Sequence, residues 1–413
     1  MIEPRDKPAK PLLFFILFMT MFLVGFIESI KGVSYPLIKT EFEVPYEKQG
    51  VMVSFLSFCF VLSCFLSGLL LGKFGIRKVY TSGFICLITG LFFIFFMPSY
   101  LSIVAALILI TAGFGIFEVS SNALASRLFT SRAALLMSIF NFFYGVGSSL
   151  SPRAAGAVSA ALNWRYAYLF SIPLLAALFI PYLKTRFHDE PRHAEGLSEG
   201  QQGHQQQENQ QQENQLKKAG FFTAFKTPMV WHFSITLGFM VGVEVSSVNW
   251  AGLYFQDVYG LDPKTSGAAF ISFFYILFTV SRLLSGFVIE KAGYLRSLFA
   301  ASAVTIIILS FGFSLGAGGI RVLPVLGFFT ALFWPTILAT AMGYFQEDAP
   351  IMTSAMIVIS GAMNSLIQLL MGFTNRLIGP AWGYRSALFY AGLVFASLVI
   401  LRRRIKKPYR TGG

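Results

Sequence analysis

Apolar stretches of about 20 residues, each long enough as a helix to cross roughly 30 Å of hydrocarbon, recur along the whole chain. This recurrence leaves little choice of fold and predicts an all-α membrane protein. Composition agrees: 55% hydrophobic and 16% aromatic residues against 12% charged lie far outside the range of a soluble domain of 413 residues. Helices are expected at about 12–37, 49–72, 79–97, 101–126, 134–159 and 165–184, then at about 229–255, 264–289, 297–317, 322–345, 350–377 and 384–401. That makes twelve transmembrane helices, six plus six.

The two sixes are related. SGLLLGKFGIRK, which contains Ser67 and Gly68, returns as SGFVIEKAGYLR around Ser285 and Gly286, 218 residues later, and Gly75 answers Gly293 in the same register. An offset slightly over half the chain means that each half holds the same number of elements, so two pseudo-symmetric six-helix bundles are expected. Between them the apolar text stops after Leu183, and the run to Lys218 is polar, with GQQGHQQQENQQQENQ at its centre. Such a stretch buries too little apolar surface to fold. The expected division is an N-terminal bundle over 1–184, a cytoplasmic Gln-rich linker over 185–220, and a C-terminal bundle with a basic tail over 221–413.

The net charge of +13 would suit nucleic acid only if the basic residues lay on a folded surface, and they lie in loops. With the N-terminus in the cytoplasm, 22 of the 32 Lys and Arg fall on inner segments or helix ends and 7 on outer ones, leaving Lys31, Arg153 and Arg282 within helices. The positive-inside rule then puts both termini in the cytoplasm. The tail cluster Arg402, Arg403, Arg404, Lys406 and Lys407 meets the anionic leaflet there, and no nucleic-acid partner is needed. The first segment has no small-residue cleavage site and reads as a retained helix. Cys59, Cys64 and Cys86 fall inside helices and read as packing residues, not as a disulfide or metal site. Short loops point to a bacterial plasma membrane, with the lipid bilayer as partner and the monomer as the expected state.

Two six-helix halves joined by a long inner loop are what alternating access by rocking requires. The other reading of the same repeat is a duplicated channel or receptor. After the second segment, Gly68, Gly72, Lys73, Gly75, Arg77 and Lys78 resemble the signature loop of the major facilitator superfamily, and the resemblance covers essentially the whole chain. The glycines let two helices turn tightly, and the cations hold the loop on the inner face. The acid usual in this loop is replaced here by Gly72, whereas the second-half copy keeps Glu290. The inner gate is therefore expected to use Gly68, Gly72, Gly75 and Arg77 together with Glu290, the last paired with Arg282 or Arg296. Glu290 as a solvated loop residue is the alternative.

Ionisable groups deep inside transmembrane helices are costly and usually face a cavity. Three acids qualify, Glu28, Glu118 and Glu244, all expected near the midplane. Burial disfavours the charged form of a carboxyl and a nearby cation favours it, so such a group can load and release a coupling proton. Lys31 stands three residues after Glu28 on the same helix face, so a permanent ion pair is an equal reading of that acid. Arg153, after Pro152, is expected either to neutralise Glu28 or to bind an anionic substrate.

Glu118 sits in GFGIFEVSSNALASRLF, where Gly113 and Gly115 permit close helix packing. With GVEVSSVNW, this segment resembles the fucose and glucose proton symporters within the superfamily. That resemblance implies proton coupling at Glu118. The helix 1 aspartate of the fucose symporters would fall near Gly32, where no acid stands, and Glu28 one turn earlier is the substitute.

A sugar site needs planar amides to bridge hydroxyls and aromatic faces to stack on the ring. Asn141 and Tyr144 in the fifth segment, Asn249 and Trp250 in the seventh, and Tyr275 in the eighth are candidates. Trp334 in the tenth and Asn364 and Gln368 in the eleventh complete the set, with Lys31 and Arg153 as possible anion contacts. Trp164, Trp231 and Trp382 lie at helix ends and read as interfacial anchors.

The expected function is thus proton-coupled uptake of a small-molecule solute, foremost a sugar, with no cofactor and no catalytic residue. Export of drugs or other amphipathic compounds is the alternative: Gly147, Ser151, Pro152, Ala155 and Gly156 partly echo the pattern of drug/proton antiporters, and 46 Phe with 13 Met would suit an apolar pocket. No phosphate-cradling loop is present, and His188, His193, Asp189 and Glu190 read as solvated linker.

Overall fold

The structure, a computed structural model, describes residues 10–129, 133–185 and 223–405. Among these residues the chain is helical throughout, without a strand. Helix α1 is Lys10–Glu41. Tyr46–Phe96 is one run of 51 residues broken at Gly75, so it holds two crossings, α2 (46–74) and α3 (76–96). Helix α4 is Tyr100–Leu128 and α5 is Ala133–Ala161. Helix α6 is built of Trp164–Leu169 and Ser171–Lys184.

In the second half, α7 is Pro228–Asn249 continued by Ala251–Tyr259, and α8 is Pro263–Gly267 continued by Ala268–Ala292. Helix α9 is Tyr294–Ser314, α10 ends in Leu326–Phe345 after two short turns, α11 is Ala349–Ile378 and α12 is Trp382–Ile405. Ten helical runs are long and apolar enough to cross a membrane. Tyr46–Phe96 counts twice and Ala133–Ala161 adds one more, which gives the twelve crossings expected. The polar stretch expected to form the linker lies, at 186–222, outside the described residues, and His188 and His193 with it.

The repeat is reproduced in the backbone. Gly75 has φ 77 and ψ 165, and Gly293, its counterpart, has φ 86 and ψ 148. A side chain at such a φ is strained, which is why each half places glycine where one crossing ends and the next begins. Arg77, expected at the gate, donates to the carbonyl of Leu183 (3.2 Å), while Tyr182 donates to the carbonyl of Arg77 (2.9 Å). It ties the signature loop to the end of α6, where a cation also meets the negative end of the helix dipole.

In lipid there is no hydrophobic drive between helices, so small residues and close packing hold them together. Ring stacking fills the first half: Phe117 meets Tyr80 and Phe84 edge-on at 4.9 Å, and Tyr182 stacks on Tyr80 at 5.0 Å. The halves meet along two seams, α2 against α11 and α5 against α8. We call the end near Glu41 outer and the end near Gly75 inner, following the charge distribution.

Both seams are tight at the outer end. A Cβ on Gly50 would stand 2.7 Å from the Cα of Gly372, and one on Gly156 would stand 2.1 Å from the carbonyl oxygen of Lys264 and 2.8 Å from the Cβ of Ala268. Both seams open toward the inner end. Gly68 lies 18 residues after Gly50, five full turns at 3.6 residues each and hence on the same stripe of α2. Gly286 bears the same relation to Ala268 on α8. At Gly68 and Gly286 an added Cβ would meet none of the described residues within 4 Å, and both are exposed.

Candidate functional site

Four helices bring the membrane-depth charges within electrostatic reach of one another. On α1, Lys31 pairs with Glu28 (Nζ to Oε1, 2.9 Å), and Tyr144 from α5 donates to the second oxygen of Glu28 at 2.6 Å. Of the two readings of Glu28, the structure forms the ion pair, and both carboxylate oxygens are engaged. Glu118 on α4 differs. It lies well inside its helix, yet it is exposed. Among the described residues its side-chain partner is Asn122, whose Nδ2 reaches the Glu118 carbonyl at 2.6 Å and Oε1 at 3.3 Å.

Glu244 on α7 is half-buried. Glu118 and Glu244 both feel the charges of Arg282 and Glu28. Arg282 was expected at the inner gate beside Glu290. It sits instead on α8 over the ring of Phe278, 4.6 Å from its centroid, within the field of these two acids. The reason is depth along the helix: Arg282 comes one turn before Gly286 and about two turns before Glu290. The side chain of Glu290 lies outside the described residues.

Arg153 is not brought to this cluster. It is exposed on the stripe of α5 that carries Leu150 and Ala157, and the ion pair of Glu28 is with Lys31 instead. Trp250, Gln368 and Asn364 do converge, but on one another: Trp250 Nε1 donates to Gln368 Oε1 (2.8 Å), and Gln368 Nε2 donates to Asn364 Oδ1 (3.1 Å) and Ser246 Oγ (3.3 Å). This network is buried and fastens α7 to α11. Asn249 is buried with its Oδ1 unpartnered, and Tyr275 is buried. Asn141 donates to the Met137 carbonyl (2.9 Å) but stays half-exposed, as does Trp334. Of the expected anchors, Trp164 is buried and donates to Glu41 (2.6 Å), whereas Trp231 and Trp382 are exposed.

An outer clasp went unrecognised in the sequence. Lys39 pairs with Asp257 across the halves (3.2 Å), Tyr46 donates to the same Asp257, and Gln256 donates to Thr40 (3.1 Å). Arg376 on α11 pairs with Glu47 on α2 (3.2 Å). Within the first half, Arg165 holds Glu41 at 2.7 Å. The available signal was the placement of acids beside the few outer cations, at the very ends of apolar segments. Gly72, like Gly68, has open space where a Cβ would be.

The arrangement can bind a small solute between the halves, hold a proton on a solvent-reached carboxylate, and expose the site to one side at a time. Among proteins with curated functions, none matches this sequence. In fold the chain is similar to a POT family transporter in complex with 5-aminolevulinic acid, with TM-score 0.72 and 12% identity over 95% of this chain and 96% of that one. It is likewise similar to a peptide transporter POT in complex with sulfate (TM-score 0.71, 13% identity, 96% and 95% covered). A bacterial homolog of the human lysosomal transporter Spinster, in an inward-facing and unoccupied conformation, gives TM-score 0.72 at 15% identity, covering 99% and 100%. Residues 17–367 match the family directly, and the chain belongs to the Major Facilitator Superfamily, a family of transporters and not of enzymes.

Proposed function

We propose that this protein couples inward proton movement to uptake of a small polar solute, with Glu118 as the carboxylate that carries the proton. One observation carries the reading: Glu118 is exposed at membrane depth, with Asn122 its side-chain partner among the described residues, while Glu28 is locked by Lys31 and Tyr144. A carboxylate that must take and give a proton needs a water path and freedom from a permanent cation, and the exposure of Glu118 and its lack of an ion pair among the described residues support that role. The resemblance of its segment to the fucose and glucose symporters supports the same role and makes a hydroxylated solute the first class to test. Asn141 and Trp334 are half-exposed and are the amide and ring to test first as solute contacts, whereas Trp250, Asn364 and Gln368 are engaged with one another. The peptide transporters of similar fold are too distant in sequence to transfer their solutes.

In this reading 1–184 and 221–413 rock as two bundles in a plasma membrane, both termini cytoplasmic, around a linker over 185–220. Glu118→Gln in proteoliposomes should abolish uphill uptake under an imposed proton gradient while solute exchange continues. Full concentrative uptake by the variant would remove Glu118 from the coupling step. Direction is read separately: solute added outside de-energised vesicles alkalinises the medium in symport, and proton entry that accompanies solute exit would assign export instead.

A further inference from the structure

The cations at membrane depth have different fates. Lys31 is held by Glu28, and Arg153 is exposed on the outside of α5 beside Leu150 and Ala157. Arg282 alone lies in the cavity without an ion-pair partner among the described residues. Its Nε is buried and has no hydrogen-bond partner, although the face of its guanidinium rests on Phe278. Glu118 and Glu244 feel its charge without forming a bond to it, and Tyr144 and Tyr275, the former bonded to Glu28, feel it as well.

A buried donor left unpaired is costly, more so on a charged group. The guanidinium fork matches a carboxylate with two parallel hydrogen bonds, and the Phe278 ring beneath it, 4.6 Å from the guanidinium carbon, supports the group without using a donor.

We infer that Arg282 is the anchor for a carboxylate on the transported solute, so that the solute class is small organic carboxylates. This deepens the transport reading and rests on it. The charges explain why proton and solute would travel together. A bound carboxylate beside Glu118 and Glu244 sets three negative charges against one free positive charge. A proton on either acid reduces that excess, so anion and proton enter as a pair. A neutral sugar gains nothing from the fork, whereas a hydroxylated carboxylate uses both the fork and the polar groups beside it.

The test titrates the purified full-length protein with matched probes, gluconate against glucose, lactate against lactamide, and benzoate against benzamide, following the melting temperature. At least one carboxylate should bind tenfold or more tightly than its neutral partner. Arg282→Gln should lose that affinity tenfold or more, and Arg282→Lys, which keeps the charge without the fork, should recover part of it. Equal stabilisation by both members of every pair, no stabilisation by any carboxylate, or unchanged affinity in Arg282→Gln would each overturn the anchor. If Arg282→Gln does not fold, the wild-type pairs and Arg282→Lys decide. Proteoliposomes separate the two readings. Proton-driven uptake of a neutral probe that is untouched in Arg282→Lys overturns the anchor and keeps the transporter. Carboxylate binding that depends on Arg282, without proton-driven movement, keeps the anchor and overturns the coupling.

Discussion

The outer and inner ends of the two seams are built from the same residue type and behave oppositely. Gly50 against Gly372 and Gly156 against Lys264 bring backbones together at the outer end, while Gly68 and Gly286, on the same stripes five turns inward, touch nothing. Glycine therefore does not itself decide whether a seam is closed; it permits closure wherever the halves tilt together. Because the repeat places Gly68 and Gly286 in equivalent positions, the inner end is prepared to close on both seams at once. The outer end carries in addition the Lys39–Asp257 and Arg376–Glu47 pairs, which act only while it is closed.

The largest expected effect comes from breaking the tight end. Gly156→Leu drives a side chain into the Lys264 carbonyl, and overpacking of this kind costs about 1–3 kcal/mol, or roughly 5- to 150-fold in a two-state equilibrium. Distances between spin labels on the outer ends of α2 and α8 should lengthen as the outer seam opens; unchanged distances would mean that the seam relaxes around the new side chain. Next come Gly68→Leu and Gly286→Leu, which find room in the present state and obstruct inner closure. They should leave the melting temperature unchanged, stop transport, and hold the outer labels close, a shift opposite in sign to that of Gly156→Leu. Transport at the wild-type rate in both variants would show that the inner seam closes elsewhere. The smallest effect belongs to Asp257→Asn. Its ion pair with Lys39 is partly exposed, so its loss is worth about 1 kcal/mol at most, near fivefold toward outer opening, and added salt should shrink the difference between wild type and variant.

Much of this was legible in the amino-acid text, for reasons that differ from residue to residue. Gly75 and Gly293 could be read as turns because a positive φ is a local property that favours one residue type. The ion pair of Glu28 with Lys31 was one of two open readings because a spacing of three sets them on one face, but spacing does not exclude a competing partner. Arg282 lies about two turns before Glu290 on α8 and Arg153 lies on an exposed face of α5, and spacing within one helix sets neither group's partners. The amides Asn364 and Gln368 were expected to face a solute because leaving them in lipid is costly; Trp250 and Ser246 satisfy them equally well from inside the protein. The outer clasp escaped notice because Lys39 and Asp257 are 218 residues apart in the chain and meet only when the halves do.

The sequence by itself determined the number of crossings, their lengths, the duplication and the glycine breaks between crossings. All of these follow from hydropathy, the 1.5 Å rise of a helix and local backbone sterics, which act within a few turns of chain. Tertiary structure decided which acid stays open to water, which cation is left unpaired, which polar side chains satisfy one another and which end of each seam is closed. Those outcomes depend on the rotation of each helix about its axis and on its distance from helices far away in sequence. Small residues allow more than one such arrangement, and no local rule selects among them.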